Sequence, residues 1–215
     1  MNLSKRLKTI AELVDTDSII DVGCDHAYLD IYLSNLGISC LGIDVSKNVI
    51  DSALKNLEKY NVNDKVKLLL NDGIKGVTLK DTYTIVISGM GTNTILNILS
   101  DLKRKNPLII SSNNDLEFLR REVVKKGYKI ANEKVVYEKG HYYVIIKFIH
   151  GKEIYKKVDY KYGPISKYDN AYMSYILNKN KKIYSSMPEK YIFKKIKLCL
   201  EIKKINKLLN KEYRV

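Results

Sequence analysis

The sequence predicts an α/β fold. A nucleotide-binding unit of alternating strands and helices is closed by a terminal antiparallel hairpin and followed by a small helical hairpin. Three observations predict it. Short β-branched runs alternate with helical patterns between residues 19 and 126. A glycine turn, Asp21-Val-Gly-Cys-Asp25, joins the first strand to a helix. Two long strand-like runs, 128–137 and 141–149, are separated by Glu138-Lys-Gly140, a hairpin turn.

Residues 3–14 read as an amphipathic helix with Leu3, Leu7, Ile10, Ala11 and Val14 on one face. Such a helix covers a sheet edge; Arg6 within it could instead face a carboxylate or phosphate of a ligand. Ile19 to Val22 is a buried strand, Gly23 turns the chain, and a helix follows from Ala27 to Leu36, ended by Gly37. Ser39 to Asp44 is the second strand, with a helix from Asp44-Val-Ser46 to about Tyr60. Val66 to Leu70 is the third strand, and Asn71-Asp72-Gly73 follows it. Thr84 to Ser88 is the fourth, followed by Gly89-Met-Gly91 and a helix over 93–102. The fifth runs from Leu108 to Ser111, with a helix from Leu116 to Lys126 closed by Gly127.

Gly23 lacks a Cβ, so a ligand can approach the backbone there and meet the amides of the turn. Asp44, 21 residues further on, can accept hydrogen bonds from both hydroxyls of a ribose. Nicotinamide dinucleotides and S-adenosylmethionine (SAM) both use this layout. The dinucleotide version needs G-x-G-x-x-G, and here the later glycines are Asp25 and Tyr28. An anion where a pyrophosphate would lie argues against a dehydrogenase, as does the terminal hairpin. SAM carries a sulfonium and an ammonium, so carboxylates beside it are favourable. Asp21 and Asp25 could also serve simply as turn and helix-cap residues. Asp72 after the third strand suits the adenine amino group of SAM, or an Asx turn. The order Asp21/Gly23, Asp44, Asp72 at successive strand ends is more specific than any one member.

In the SAM-binding version of this layout the fourth strand's end would face a group to be methylated. Gly89-Met90-Gly91 opens a floor there but lacks the Asn/Asp-Pro-Pro-aromatic motif of exocyclic-amine methyltransferases. A ring nitrogen with a free lone pair needs no such motif, and catalysis then rests on orientation and exclusion of water.

At 215 residues and 45% hydrophobic composition, one domain of 1–150 plus an appendage of 151–215 is expected. No apolar run reaches membrane-spanning length and Met1 to Ile10 has no secretory pattern, so the cytoplasm is expected. Cys24, Cys40 and Cys199 form neither a disulfide framework nor a zinc pattern, and no metal is expected. Net charge is +14, unevenly placed. Residues 1–150 hold 21 basic and 18 acidic residues; residues 151–215 hold 17 and 6, with nine tyrosines. That concentration fits a nucleic-acid partner, although AT-rich coding produces similar composition. The appendage contains a break at Tyr162-Gly-Pro-Ile165 and continues as helices over 169–184 and from Pro188, joined by Ser185-Ser186-Met187. The second carries Ile192, Ile196, Cys199, Ile202, Ile205 and Leu209 on one stripe.

These residues resemble the bacterial tRNA (adenine-22-N1)-methyltransferases over nearly the whole chain. Asp21-Val-Gly-Cys-Asp-His-Ala-Tyr-Leu29 is similar to the family's D-[IV]-G-x-D-H-A-Y-L signature. Leu3-Ser-Lys-Arg-Leu7, Asp72-Gly73, Gly89-Met-Gly91, Leu119-Arg120, Gly127-Tyr128, Lys139-Gly140 with Tyr143, and Tyr162-Gly-Pro164 match its other segments. The resemblance implies a class I Rossmann-like, SAM-dependent methyltransferase with a seven-stranded sheet and a coiled-coil-like tail that holds tRNA. The chain departs from the pattern at Thr92, where G-M-G-G is usual, and at Ser111-Ser112-Asn113, where Q-P-N is usual. The resemblance and the residues together assign cofactor binding to Asp21, Gly23, Asp25, His26, Asp44, Asp72, Gly73 and Gly89. They assign the target side to His26, Asn113 and Met90. A monomer is expected. The alternatives are a SAM methyltransferase for another RNA position or a small molecule, and a non-catalytic RNA-binding protein with a vestigial fold.

Overall fold

The computed structural model describes residues 1–210. Strands β1 (Ser18–Val22), β2 (Ser39–Asp44), β3 (Val66–Leu70), β4 (Thr84–Met90), β5 (Leu108–Ser112), β6 (Tyr128–Glu138) and β7 (His141–His150) form one sheet. Their order is β3-β2-β1-β4-β5-β7-β6. Neighbours among the first five run parallel, and β7 lies antiparallel between β5 and β6. The terminal hairpin thus closes the sheet as the sequence predicts.

The parallel strands are covered on both faces, which is why their runs are apolar throughout rather than alternating. Ile20, Val22, Ile43, Ile85, Ile87 and Ile110 meet Ile95 and Ile98 of α4 (Thr92–Ile98) and Leu119 and Val123 of α5 (Leu116–Lys125). On the other face, Ile19, Cys40, Val66, Val86 and Ile109 meet α1 (Lys5–Glu12), α2 (Tyr28–Ser34) and α3 (Lys47–Lys59). Ser4 caps α1, its Oγ accepting the Leu7 amide at 3.2 Å. Helix α1 packs on the antiparallel end of the sheet. There Lys147 reaches across from β7, donating to the Leu13 carbonyl at 2.9 Å and pairing with Asp15 at 2.6 Å. The chain steps from β1 outward to β3, then returns to the other side of β1 as β4. That reversal opens a crevice at the C-terminal ends of β1 and β4.

Some boundaries differ from the sequence reading. Strand β4 runs on to Met90 because a bulge between Ser88 and Met90 keeps pairing with β5. Helix α4 begins at Thr92 and stops at Ile98. Helix α6 (Lys157–Tyr162) and the 3₁₀ turn Ser166–Tyr168 were not anticipated. Helix α7 (Asn170–Ser186) is capped by the Asp169 carboxylate, which accepts from Tyr172 N at 2.8 Å. It absorbs Ser185 and Ser186, expected in the connector. Pro188 does not open the last helix: it precedes a 3₁₀ turn, Glu189–Tyr191, and α8 starts at Ile192. The apolar stripe of α8 is only half used. Ile205 is buried with Tyr162, Met173 and Leu177, whereas Ile192 and Ile196 are exposed, because α7 and α8 meet chiefly near their outer ends from the turn. Among the described residues no helix is long and apolar enough to cross a membrane, and no cluster of three or more metal-ligating side chains is present.

One buried ion pair joins the sheet to these helices. In β6 a bulge at Ala131 shifts the side-chain parity, so Glu133 and Val135 share a face with Tyr128 and Ile130. The Glu133 Oε1 accepts from Arg120 Nε of α5 at 2.7 Å, and both side chains are fully buried. The second oxygen accepts from Ile165 N (3.1 Å), Ser166 N (3.0 Å) and Ser166 Oγ (3.2 Å). Arg120 Nη1 donates to the Tyr160 carbonyl at 3.1 Å. Gly163, with φ +88°, lies so close to the carboxylate that a Cβ would strike it. The Gly163-Pro164 break therefore exists to let the backbone wrap an anion. Removing one partner of such a pair strands the other charge away from water. Glu133→Ala is expected to lower unfolding free energy by about 3–5 kcal/mol. Glu122→Ala, which breaks the exposed Lys125–Glu122 pair, should change it by less than about 1 kcal/mol. Chemical denaturation of the two variants checks the contrast.

Candidate active site

The ends of β1, β2 and β4 enclose a cavity of about 320 Å³ lined by Arg6, Asp21, Gly23, Asp25, His26, Asp44, Gly89 and Met90, among others. The turn after β1 builds one wall. Gly23 and Cys24 amides donate to the Ile43 carbonyl at 2.7 and 3.1 Å, folding the turn onto β2. Gly23, Asp25 and Ala27 all have left-handed φ values of 79°, 50° and 56°. For Asp25 and Ala27 that conformation is strained, and such strain persists only where the surroundings hold it. The alternative of Asp25 as a helix cap is not realised: α2 begins after Ala27 with no side-chain cap. Its carboxylate is three-quarters exposed and approaches only His26 Nε2, at 3.7 Å.

The opposite wall is the bulge in β4. Gly89, at φ +82°, swings Met90 so that its methyl group lies over Gly23, and a Cβ on Gly23 would collide with it. The first glycine is thus needed for packing against Met90, whose methyl group fills the space beside its Cα. The Arg6 guanidinium stacks over the Tyr143 ring at 5.2 Å and lies beside Gly89. Asp44 Oδ1 accepts the Ser46 amide at 2.9 Å, which orients the carboxylate at the end of β2.

His26 is half exposed; its Nδ1 sits 3.1 Å from Ser52 Oγ, and its carbonyl accepts from Asn56 Nδ2 at 3.0 Å. Both partners lie on α3, which thus holds the His26 ring and backbone at the cavity rim. Asn113 does not line the cavity. Its Nδ2 donates to the Gly89 carbonyl at 2.7 Å and its amide to the Met90 carbonyl at 2.9 Å, so it braces the bulge from outside. Asp72 is exposed on the loop after β3, and Gly73 (φ +60°) packs against Ile98; neither lines the cavity.

A second acid lies behind Asp21. Asp30 of α2 is completely buried, and neither carboxylate oxygen has a conventional hydrogen-bond partner. Burial first, and then the Asp21 charge, raise its pKa well above the ordinary carboxylate value. Burial also pushes Asp21 up to about 7, against the opposing pull of the Arg6 guanidinium; Asp25 and Asp44 push the same way as burial. Burial thus disfavours charge on both acids, Asp21 at the cavity and Asp30 behind it. Asp30 was missed because it interrupts the apolar stripe Leu29, Ile31, Leu33, and a lone acid there has no sequence signal of pairing. The bracing of Arg6 by Tyr143 joins residues 137 positions apart, beyond any local pattern.

A family model described as a methyltransferase domain matches residues 3–146. The tRNA (adenine(22)-N(1))-methyltransferase of Bacillus subtilis is 29% identical over 153 residues, 68% of this chain and 64% of its own length. A Mycoplasma genitalium protein provisionally named as a tRNA methyltransferase is 32% identical over 152 residues, 67% of this chain and 68% of its own. The chain thus spans about two thirds of the length of these relatives in the matched stretch. The structure of M. capricolum TrmK in complex with S-adenosyl-homocysteine superposes with a TM-score of 0.84 at 28% identity, covering 97% of this chain and 98% of the other.

The carboxyl pair has a consequence for stability. A folded Asp21 pKa near 7 exceeds its ordinary value of 3.8, so between those values the native state binds more protons than the unfolded chain. The stabilisation is fully present below about pH 4 and is lost as pH rises through 7. Asp30 acts in the same direction. Asp30→Asn, which cannot ionise, should flatten the fall of Tm between pH 5 and 8 relative to wild type. Calorimetric melts across that range check it.

Proposed function

Because the chain belongs to the bacterial tRNA (adenine-22-N1)-methyltransferase family, we propose that it transfers a methyl group from SAM to N1 of adenine 22 in tRNA. The observation that carries this reading is the charge and shape of the cavity at the ends of β1, β2 and β4. The lining carboxylates Asp21, Asp25 and Asp44 suit the ammonium and sulfonium of SAM, Arg6 suits its carboxylate, and the acids oppose a pyrophosphate. When bound, SAM would supply a sulfonium methyl: the N1–C bond would form as the S–C bond breaks, leaving a neutral thioether and a cationic base.

The chain's own residues bind and orient. Asp44, fixed by Ser46, accepts the ribose hydroxyls. Gly23 and Asp25 hold the methionine end; Asp21 faces its ammonium and Arg6 its carboxylate. Asp72, on the loop beyond β3, takes the adenine amino group beside Gly73. Met90, set by the Gly89 bulge over Gly23, floors the site where the extruded target base enters. His26 orients that base from the rim, and Asn113 acts through the Gly89–Met90 bulge that it braces. The attacking nitrogen carries no proton, so no general base is needed, and catalysis is orientation and exclusion of water. Lysines of α7 and α8 follow the phosphates of tRNA, and the buried Arg120–Glu133 pair keeps those helices in fixed register with the cavity. The protein acts in the cytoplasm, where this substrate is found. A monomer is the proposed form.

The test is transfer from labelled SAM to two tRNA transcripts differing only by adenine or guanine at position 22. Label recovered as 1-methyladenosine from the adenine transcript alone supports the reading; transfer to both moves the target. Asp44→Ala should weaken SAM binding about 10- to 100-fold by calorimetry, the loss of hydrogen bonds to a charged acceptor. The KM for tRNA should rise steeply with salt as phosphate contacts are screened.

A further inference from the structure

We propose that Thr92 and Ser112 form a hydroxyl latch that positions Asn113 for methyl transfer, a role that rests on the methyltransferase reading above. The side chain of Thr92, the first residue of α4, is buried. Its Oγ1 lies 2.8 Å from Ser112 Oγ and 2.6 Å from the Asn114 carbonyl. Asn114 N lies 3.3 Å from Ser112 Oγ. Ser112 Oγ also lies 2.9 Å from the Asn114 carbonyl, and Thr92 Oγ1 lies 3.3 Å from the Asp115 carbonyl; each hydroxyl has one proton to donate, and one arrangement keeps the Thr92–Ser112 contact together with both bonds to the Asn114 backbone. The Asn114 amide donates to Ser112, Ser112 donates to Thr92, and Thr92 donates to the Asn114 carbonyl. The ring begins and ends on the same residue. Asn114 is pinned once more by its side chain, whose Oδ1 accepts the Thr92 amide at 2.9 Å.

The pinning has a direct effect on the neighbouring residue. Asn113 spans the Gly89–Met90 bulge through its amide and its Nδ2, as described above. Asp115, on the other side, sits at φ +38° and caps α5 through Oδ1, which accepts from Phe118 N at 3.2 Å. A loop with a left-handed non-glycine residue needs surrounding bonds to hold it. The hydroxyl ring supplies them and fixes where Asn113 stands relative to Met90. Neither hydroxyl lines the cavity, so Thr92 and Ser112 are positioning residues and not catalytic ones. They also occupy two of the positions at which the sequence departs from the pattern it resembles, and the two departures touch.

The test uses the full chain with Thr92→Val, which keeps shape and removes the hydroxyl, Ser112→Ala, the double variant, and Thr92→Ser. The readouts are kcat and KM on the adenine-22 transcript, SAM affinity by calorimetry, and hydrogen exchange of residues 113–115. Thr92→Val and Ser112→Ala should each lower kcat about 10- to 100-fold, with SAM affinity within about twofold of wild type. The double variant should be no worse than either single, because each breaks the same ring. Thr92→Ser should restore kcat, and the exchange protection of 113–115 should fall in every variant that loses kcat. Unchanged kcat, losses that multiply, a parallel loss of SAM affinity, or no recovery in Thr92→Ser would overturn the latch. If wild type binds SAM but leaves the transcript unmodified, the target reading fails on its own. The latch is then judged by exchange: protection lost in Thr92→Val and Ser112→Ala and regained in Thr92→Ser supports it, and unchanged protection overturns it.

Discussion

A guanidinium and a carboxylate, both withdrawn from water, hold the basic helices against the sheet. Arg120 comes from α5, Glu133 from β6, and the amides that complete the carboxylate come from Ile165 and Ser166. The pair contributes little net attraction once desolvation is counted, but its members cannot be separated without leaving a bare charge inside. It therefore acts as a register device: the bulge at Ala131 aims Glu133 inward, and Gly163 lets the chain close around it. Where the helices carry much of the positive charge and the sheet carries the cavity, that fixed register sets how a long polyanion can lie across both.

Within the cavity the physics is that of crowded carboxylates. Burial disfavours charge on both Asp21 and Asp30, while Asp44 and Asp25 stay nearer to water. The turn that presents them is strained at Asp25 and Ala27, and Met90 closes over it from β4. Sheet order explains why these parts meet: β4 returns beside β1 after two strands on the other side, so Gly23 and Gly89, 66 residues apart in sequence, become neighbours.

Much of the fold was legible because parallel strands buried on both faces leave continuous apolar runs, and Gly37, Gly127 and Gly140 mark real turns at positive φ. The errors fell where a local signal had two outcomes. Pro188 suits the first turn of a helix, and here that turn is 3₁₀. The stripe on α8 has helical period, but period does not say which part is covered, and Ile192 and Ile196 stay in water. Helix α6 was hidden in a short lysine- and tyrosine-rich stretch whose packing depends on distant residues.

The sequence by itself determined the strand-turn-helix at Gly23, the acids at strand ends, the closing hairpin and the basic tail, because each is written in local periodicity or glycine chemistry. Only the tertiary structure decided that Asp21 backs onto Asp30, that Arg6 rests on Tyr143, that Asn113 braces the β4 bulge from outside, and that Thr92 meets Ser112. Those are contacts between elements brought together by sheet order and bulges. Hydrogen bonds between such elements depend on side-chain direction at sub-ångström scale, which spacing along a chain does not encode.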